Sequence, residues 1–153
     1  MNAIYNVKTK WLEGRKGEIS SDVLPDSILV ATPPEFAKGI PGIWSPEHLL
    51  IGAISSCFMT TFLAIAEKTK LEFGDFTCSA SGVLSEKDGK LQLTKIALHP
   101  SITVFTASCI EKGMKVLQYA NSACLISHSV NSEIVMASQV SLSKKPTDAT
   151  PTL

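Results

Sequence analysis

The residues of this chain that are best suited to chemistry are an arginine, a glutamate and a cysteine. Arg15 is the single arginine beside 13 lysines, and it lies in a polar stretch from Glu13 to Gly17. A guanidinium is a permanently charged planar fork, which can hold a carboxylate and an anionic reaction centre together. Glu47 and Cys57 are the candidates for those two groups. The alternative is that one arginine in a lysine-rich chain is an accident of composition.

The four cysteines show no metal-binding pattern. They are separated by 21, 31 and 15 residues, without the paired two-residue spacing of a zinc site or a thioredoxin-type motif: Cys57, Cys78, Cys109 and Cys124. We therefore expect no metal and no cofactor. The start of the chain lacks a basic region followed by an apolar run, which predicts no export signal and a reducing, cytoplasmic location. In that compartment, cysteine pairs are more often catalytic than structural.

Length and charge limit the classes of function. A chain of 153 residues fits one domain, which we place at 1–143 with a loose tail at 144–153. Equal counts of 14 basic and 14 acidic residues provide no basic stripe for nucleic acid and no polybasic patch for a membrane. With 44% hydrophobic and 18% charged residues, the chain can bury a large core, and we expect another subunit to cover part of its surface.

The first third of the chain predicts two strands and a loop. Residues 5–11 alternate between apolar and polar, which indicates a strand with one buried face. Residues 27–32 suggest a second short strand. The stretch from Pro33 to Ser45 is rich in proline and glycine and is long enough to be a functional loop.

A long apolar helix is predicted next. Ser45 is a suitable N-cap, Pro46 fits the first turn, and the helix should run to about Lys70. Residues 49–66 carry no charge, and these 18 residues reach the lower end of the roughly 17 to 25 that cross a bilayer. Because this stretch contains a glycine, serines and threonines and its flanks alternate like half-buried strands, we expect a helix surrounded by protein.

Cys57 lies in the middle of this helix, where a cysteine is more often an inert small hydrophobe than a nucleophile. Several neighbours carry hydroxyl groups: Ser55, Ser56, Thr60 and Thr61. These hydroxyls are able to bond a thiolate or a peroxide oxygen, or equally the carbonyls of the helix itself. A free thiol titrates near about 8.5 and burial raises that value, so we expect a fixed cation beside an active thiolate.

The second half of the chain predicts a hairpin, a helix and a last strand. Residues 76–84 alternate, a turn follows at 86–89, and the return strand changes its apolar phase near Thr94, which predicts a bulge. Pro100 should end regular pairing or mark an edge. The spacing of Ser108 and Glu111 suggests a capping box and a second helix that leads to an inward-facing Cys124, and residues 134–142 suggest one final strand.

Three segments resemble the OsmC/Ohr family of osmotically inducible and organic hydroperoxide resistance proteins. Residues 45–62, with Ser-Pro-Glu-His, two leucines, small residues, two serines and Cys-Phe, are similar to the signature helix of that family. Residues 120–130, with Cys124 before an aliphatic residue, resemble its resolving-cysteine segment, although Leu125 stands where the family often has proline. The Gly-Arg-x-Gly loop at Arg15 resembles its arginine loop.

The resemblance implies a fold and an activity. The fold is α+β, with an antiparallel sheet around a long buried central helix in an intertwined homodimer. The activity is that of a thiol-dependent peroxidase, in which Cys57 is the peroxidatic thiolate, Cys124 the resolving thiol, and Arg15 and Glu47 the charged pair that activates the site. Thiolate attack on a peroxide gives an alcohol and a sulfenic acid, which a second thiol converts to a disulfide.

Glu47 has an alternative role as an ordinary first-turn acid that stabilises the helix dipole. It lies ten positions before Cys57, which places the two about 15 Å apart along a continuous helix. They cannot touch directly, so an arginine or a partner chain would have to bridge them.

The apolar residues expected to contact the substrate favour an organic hydroperoxide over hydrogen peroxide: Ile43, Trp44, Phe58 and Phe62. The expected partners are a second copy of the chain and a dithiol or thioredoxin-type reductant, with neither nucleic acid nor a membrane. The alternative function is a non-catalytic dimer that binds a small apolar ligand in its cleft and uses its cysteines for packing.

Overall fold

The computed structural model describes residues 1–145, so most of the predicted tail lies outside the described residues. Within that range the elements, in chain order, are β1 Lys8–Glu13, β2 Lys16–Ser20, β3 Ile28–Ala31, α1 Pro46–Thr69, β4 Phe73–Lys87, β5 Lys90–Val104, α2 Ser108–Ala123, a short 3-10 turn Ser127–Ser129, β6 Glu133–Met136 and β7 Gln139–Leu142. The chain has two compact units, Met1–Leu50 and a second from Ile51 onward.

The first unit is a three-stranded antiparallel sheet in the order β1-β2-β3. The two predicted strands are present, and Gly14 makes the tight turn at Arg15 with a φ of 49°. A single chain does not cover the face of the first strand that was predicted to be buried, because all of β1 is exposed there and Trp11 is 72% exposed. Alternation shows which side chains share a face, but a face is buried only where something covers it.

Helix α1 begins as predicted. Ser45 is its N-cap, because its hydroxyl oxygen accepts a hydrogen bond from the backbone N–H of His48 at 3.3 Å. The helix is long and apolar enough to cross a membrane, and 22% of its most apolar stretch is buried. Its four buried residues recur at every fourth position: Ile54, Phe58, Phe62 and Ala66. A single chain therefore covers only one side of the helix, whereas we predicted that protein surrounds it.

The second unit contains the predicted hairpin of β4 and β5. Asp88 and Gly89 form its turn with φ values of 54° and 72°, as a two-residue hairpin loop requires. The register of strand pairing shifts between Val83 and Leu84, so that no residue of β4 pairs opposite Thr94. The bulge predicted near Thr94 is confirmed.

Pro100 does not end the strand as predicted. Strand β5 continues to Val104, and Pro100 pairs opposite Cys78. On its other edge, β5 pairs with β6 over residues 95–98 and with β7 over residues 101–104. The carbonyl of Leu98 points to that edge, where it accepts a hydrogen bond from the backbone N–H of Ala137 at 3.0 Å. Backbone groups two residues apart in a strand point to the same edge, so those of Pro100 also point towards β6 and β7. Its missing N–H therefore falls in the gap between two pairings.

The single final strand predicted at 134–142 was wrong, because the structure has two strands there, β6 and β7. Both are parallel to β5, whereas the other pairings of the described sheets are antiparallel. Parallel pairing needs a crossover connection, and α2 provides one between β5 and β6.

Helix α2 does not begin with the predicted capping box. The cap position is Ala107, which makes no side-chain cap, and Ser108 is already inside the helix. The helix ends as predicted, with Cys124 fully buried. The core of the second unit is formed by the four buried residues of α1 together with residues of β5, α2 and their neighbours: Leu71, Ile96, Leu98, Ile102, Val104, Val116, Leu117, Ala120 and Cys124.

Candidate functional site

Cys57 and Cys124 come together where the end of α2 packs against the middle of α1. Both are free thiols, with Cys57 half-buried and Cys124 fully buried. Cys57 packs against the core cluster that contains Cys124, and the Cys124 thiol lies 3.9 Å from the carbonyl oxygen of Ile54, three residues before Cys57. The structure thus brings together, in reduced form, the two cysteines that the resemblance singled out.

Two opposing effects set the ionisation of Cys57. Burial raises the pKa of its thiol, because a thiolate loses hydration when it leaves water. Hydrogen bonds from the backbone of Ile126, the Cys124 thiol, the backbone of Leu125 and the Thr61 hydroxyl stabilise the thiolate. Together they outweigh burial and bring the pKa of Cys57 below its ordinary value.

The local fold explains why these backbone donors are available. Helix α2 ends at Ala123, and Cys124 takes an extended conformation with its thiol 3.9 Å from the carbonyl oxygen of Ile54 on α1. The chain then turns into the 3-10 turn at residues 127–129, and the first N–H groups of such a turn have no partner inside it. Residue types do not show where backbone amides point. The expectation of a cation beside the thiol missed this source of stabilisation.

The structure assigns the hydroxyls around Cys57 to different acceptors. Ser55, Ser56 and Thr60 donate to the carbonyl three residues earlier, at 3.2, 3.1 and 3.0 Å. The hydroxyl of Thr61 is instead the last and smallest of the groups that lower the pKa of Cys57. Of the two roles that the sequence left open, bonding to the helix carbonyls is the one that Ser55, Ser56 and Thr60 take.

Two buried polar atoms flank Cys124. Asn121 Oδ1 and Ser127 Oγ lie three residues before and after it, and neither has a hydrogen-bond partner among the described residues. Buried polar atoms are normally paired. These two atoms are exceptions to that rule within the described residues.

The first unit holds the predicted charged pair and the loop residues. Arg15 lies in the turn between β1 and β2 and borders a mostly apolar cavity of about 280 Å³ that is also lined by Trp11, Val30 and Pro46. Glu47 occupies the first turn of α1, where its buried Oε2 atom has no partner within the described part of the chain. Such an oxygen favours a cationic donor.

The four predicted substrate contacts lie in two kinds of environment. Ile43 is half-buried, and Trp44 is 55% exposed with its ring edge-on to His48. Phe58 and Phe62 are fully buried on the core side of α1, where both rings pack on Phe76. Contact with a substrate stays a prediction for all four.

The two remaining cysteines differ from Cys57. Burial raises the pKa of Cys78 in β4, and a hydrogen bond from the backbone of His99 opposes this only in part. Cys109 lies in the first turn of α2, where its sulfur accepts a hydrogen bond from the Thr106 hydroxyl at 3.1 Å. Within residues 1–145, no cluster of three or more His, Cys, Asp or Glu side chains is placed to hold a metal.

A family model, described as OsmC-like protein, matches residues 39–139 of the chain. The chain belongs to the OsmC-like protein family. The predicted family is therefore confirmed, together with an α+β fold in which antiparallel pairing dominates the sheets.

Similar proteins include one from Bacillus subtilis named uncharacterized protein YmaD, which is 24% identical over 143 residues that cover 90% of this chain and 93% of that protein. An OsmC-like protein of unknown function from Vibrio cholerae has a similar structure, with a TM-score of 0.80, 23% identity, and coverage of 90% of this chain and 99% of that one. An organic hydroperoxide resistance protein from Elizabethkingia anophelis gives a TM-score of 0.72 and 23% identity over 94% of this chain and 100% of that one.

The opposite pKa shifts of Cys57 and Cys78 predict selective alkylation. As the pH rises, thiolate should form at Cys57 first, so iodoacetamide should label Cys57 at a lower pH than Cys78. Peptide mapping by mass spectrometry across a pH series measures both sites in one sample. The chain unfolded in guanidinium is the control, since the two thiols should then titrate alike. Labelling of Cys78 at an equal or lower pH in the folded protein would contradict the assignment.

Proposed function

We propose that this protein is a thiol peroxidase that reduces organic hydroperoxides to alcohols. The observation that carries the proposal is the packing of one free thiol, Cys57, against the cluster that holds a second, Cys124, in a site whose hydrogen bonds lower the pKa of Cys57. A thiolate is the nucleophilic form of cysteine, and a neighbouring thiol can capture its oxidised product. Membership in a family with organic hydroperoxide resistance proteins supports the same activity.

The reaction needs two steps in this site. The Cys57 thiolate attacks the terminal oxygen of the hydroperoxide, so that an S–O bond forms, the O–O bond breaks and the alkoxide leaves and takes a proton to become the alcohol. Cys57 is then a sulfenic acid. The Cys124 thiol attacks its sulfur, which releases water and forms the Cys57 to Cys124 disulfide. A dithiol or thioredoxin-type reductant, itself oxidised to a disulfide, restores both thiols by exchange.

We assign further roles on the basis of the resemblance. Arg15 and Glu47 are the charged pair that activates the site, and the unpartnered Oε2 atom of Glu47 supports a cationic partner for it. Apolar side chains provide the contact with the organic part of the substrate: Ile43, Trp44, Phe58 and Phe62.

We also propose that the protein works as a homodimer in the cytoplasm. The surface of α1 that a single chain leaves open is formed by small and apolar side chains: Ala53, Ser56, Met59, Thr60 and Ala64. Met59 is 37% exposed there, and Trp11 of the first unit is 72% exposed. A second copy of the chain would cover such surfaces, as a soluble protein requires.

Addition of cumene hydroperoxide should remove two thiols per chain and leave one disulfide between Cys57 and Cys124. We expect Cys57→Ser to abolish turnover, because it removes the nucleophile. Cys124→Ser should leave a sulfenic acid that dimedone traps, because no resolving thiol remains. Thiol titration, peptide mapping and a comparison of rates with hydrogen peroxide measure these outcomes.

Cys109→Ser is the matched control for these variants, because it removes a thiol outside the site and should keep full turnover. If the protein binds cumene hydroperoxide or its alcohol without thiol loss, the non-catalytic ligand-binding dimer replaces the peroxidase. Equal or faster reaction with hydrogen peroxide would contradict the preference for an organic substrate.

Arg15→Lys should slow the first step although it keeps the positive charge. Lysine cannot present two parallel N–H donors, and loss of one charge-assisted hydrogen bond of about 1.5–3 kcal/mol corresponds to a rate lower by roughly 10- to 150-fold. Single-turnover loss of the Cys57 thiol measures that step directly. Lys68→Arg on α1 is the control for an altered cation elsewhere. A wild-type rate in Arg15→Lys would remove the catalytic role of the arginine.

The dimer predicts a mass in solution of twice the 16.4 kDa of one chain. Light scattering after size-exclusion chromatography measures it. Met59→Arg should lower the mass towards that of a monomer, because it places a charge on the open side of α1. Gln118→Arg changes an exposed residue of α2 and should leave the mass unchanged. A monomeric wild-type protein at all concentrations tested would refute the proposal.

A further inference from the structure

The two cysteines of the candidate site differ in how far a molecule from solvent can reach them. Cys124 is 0% exposed and belongs to the buried core cluster, whereas Cys57 is half-buried and packs against that cluster. The Cys124 thiol lies 3.9 Å from the carbonyl oxygen of Ile54, which is itself a buried residue of the cluster. A disulfide between the two cysteines therefore has one accessible sulfur and one buried sulfur.

We propose that the reductant restores the oxidised protein by attacking the sulfur of Cys57, so that Cys124 is the leaving thiol. This inference rests on the proposed function, because it concerns the disulfide that forms in that cycle. It gives Cys57 a second covalent role, as the residue that carries the mixed disulfide with the reductant.

The exchange takes two steps. A thiolate of the reductant attacks Cys57 Sγ, a new S–S bond forms, and the bond to Cys124 breaks with its electron pair on the Cys124 sulfur, which takes a proton. A second thiolate of the reductant then attacks the reductant's own sulfur in the mixed disulfide and releases Cys57. The reductant has lost two electrons and become a disulfide, and both protein thiols are restored.

The position of the pair in the core favours attack at Cys57. An attacking sulfur approaches in line with the bond that it breaks, so it meets Cys57 from the side opposite to Cys124 and away from the core cluster. Attack at Cys124 would have to come through the core. Leu117 and Ala120, which share the buried face of α2 with Cys124, are also 0% exposed, so that route requires the end of α2 to open.

The strength of the two leaving groups opposes this preference. A thiol of lower pKa leaves faster, and hydrogen bonds lower the pKa of Cys57, which by itself favours attack at Cys124. Access decides between the two, because a core sulfur is exposed only in the small fraction of molecules in which that part of the fold has opened.

The test maps the first product of reduction by 2-mercaptoethanol. Diamide, which takes two electrons and two protons from a pair of thiols, forms the Cys57 to Cys124 disulfide without any hydroperoxide. The protein carries Cys78→Ser and Cys109→Ser, so that every adduct belongs to the pair. Samples taken over time are quenched in acidic guanidinium with N-ethylmaleimide, and mass spectrometry locates the mercaptoethanol adduct and the freed thiol.

We expect the earliest product to carry mercaptoethanol on Cys57 and maleimide on Cys124, in excess over the reverse pattern by on the order of tenfold or more. The same disulfide reduced in guanidinium is the control, since neither sulfur is then buried and the two patterns should appear in comparable amounts. If circular dichroism shows that the doubly substituted protein does not fold, the wild-type protein is mapped in the same way with the same expectation.

Mercaptoethanol mainly on Cys124, or equally on both cysteines of the folded protein, would overturn the inference, and so would failure of diamide to link the pair. Consumption of cumene hydroperoxide by the wild-type protein is measured in parallel. Exchange at Cys57 without consumption would refute the peroxidase and keep the order of exchange. Consumption with exchange at Cys124 would refute only the order of exchange.

Discussion

The candidate site depends on one packing contact, that of the end of α2 on the middle of α1. Burial of Cys124 against the Ile54 carbonyl places its thiol beside that of Cys57. The backbones of Ile126 and Leu125, which follow Cys124, lower the pKa of Cys57. One piece of core packing thus provides both the second thiol and donors that lower the pKa of the first.

The sheet makes this contact possible. Helix α2 crosses between β5 and its parallel neighbours, and Gly113 lets it approach them closely, since an added Cβ there would lie 3.0 Å from Ile102 Cδ1 and 3.3 Å from Val140 Cγ1. Parallel strands at one edge of β5 require such a crossover. The gap between β6 and β7 also accommodates Pro100, whose ring replaces a backbone N–H. The order of the strands therefore determines where α2, and with it Cys124, is placed.

The site also shows how neutral groups can lower the pKa of a half-buried thiol. Burial disfavours the thiolate, but it also strengthens each hydrogen bond by excluding water. Several donors from one turn and one helix outweigh the loss of hydration at Cys57, whereas Cys78, with a single backbone donor, keeps a raised pKa. The number of donors around each sulfur separates the two cysteines.

The sequence by itself determined the family, the start of α1 at its Ser45 cap, the hairpin with its bulge at Thr94 and the inward direction of Cys124, because each rests on local periodicity, capping or a motif. Only the tertiary structure decided which face of a strand or helix is covered, that β6 and β7 are separate and parallel, and that the backbone after α2 lowers the pKa of Cys57. Those features depend on contacts between elements that are distant in the chain. They also depend on the directions of backbone amides, which cannot be inferred from residue types.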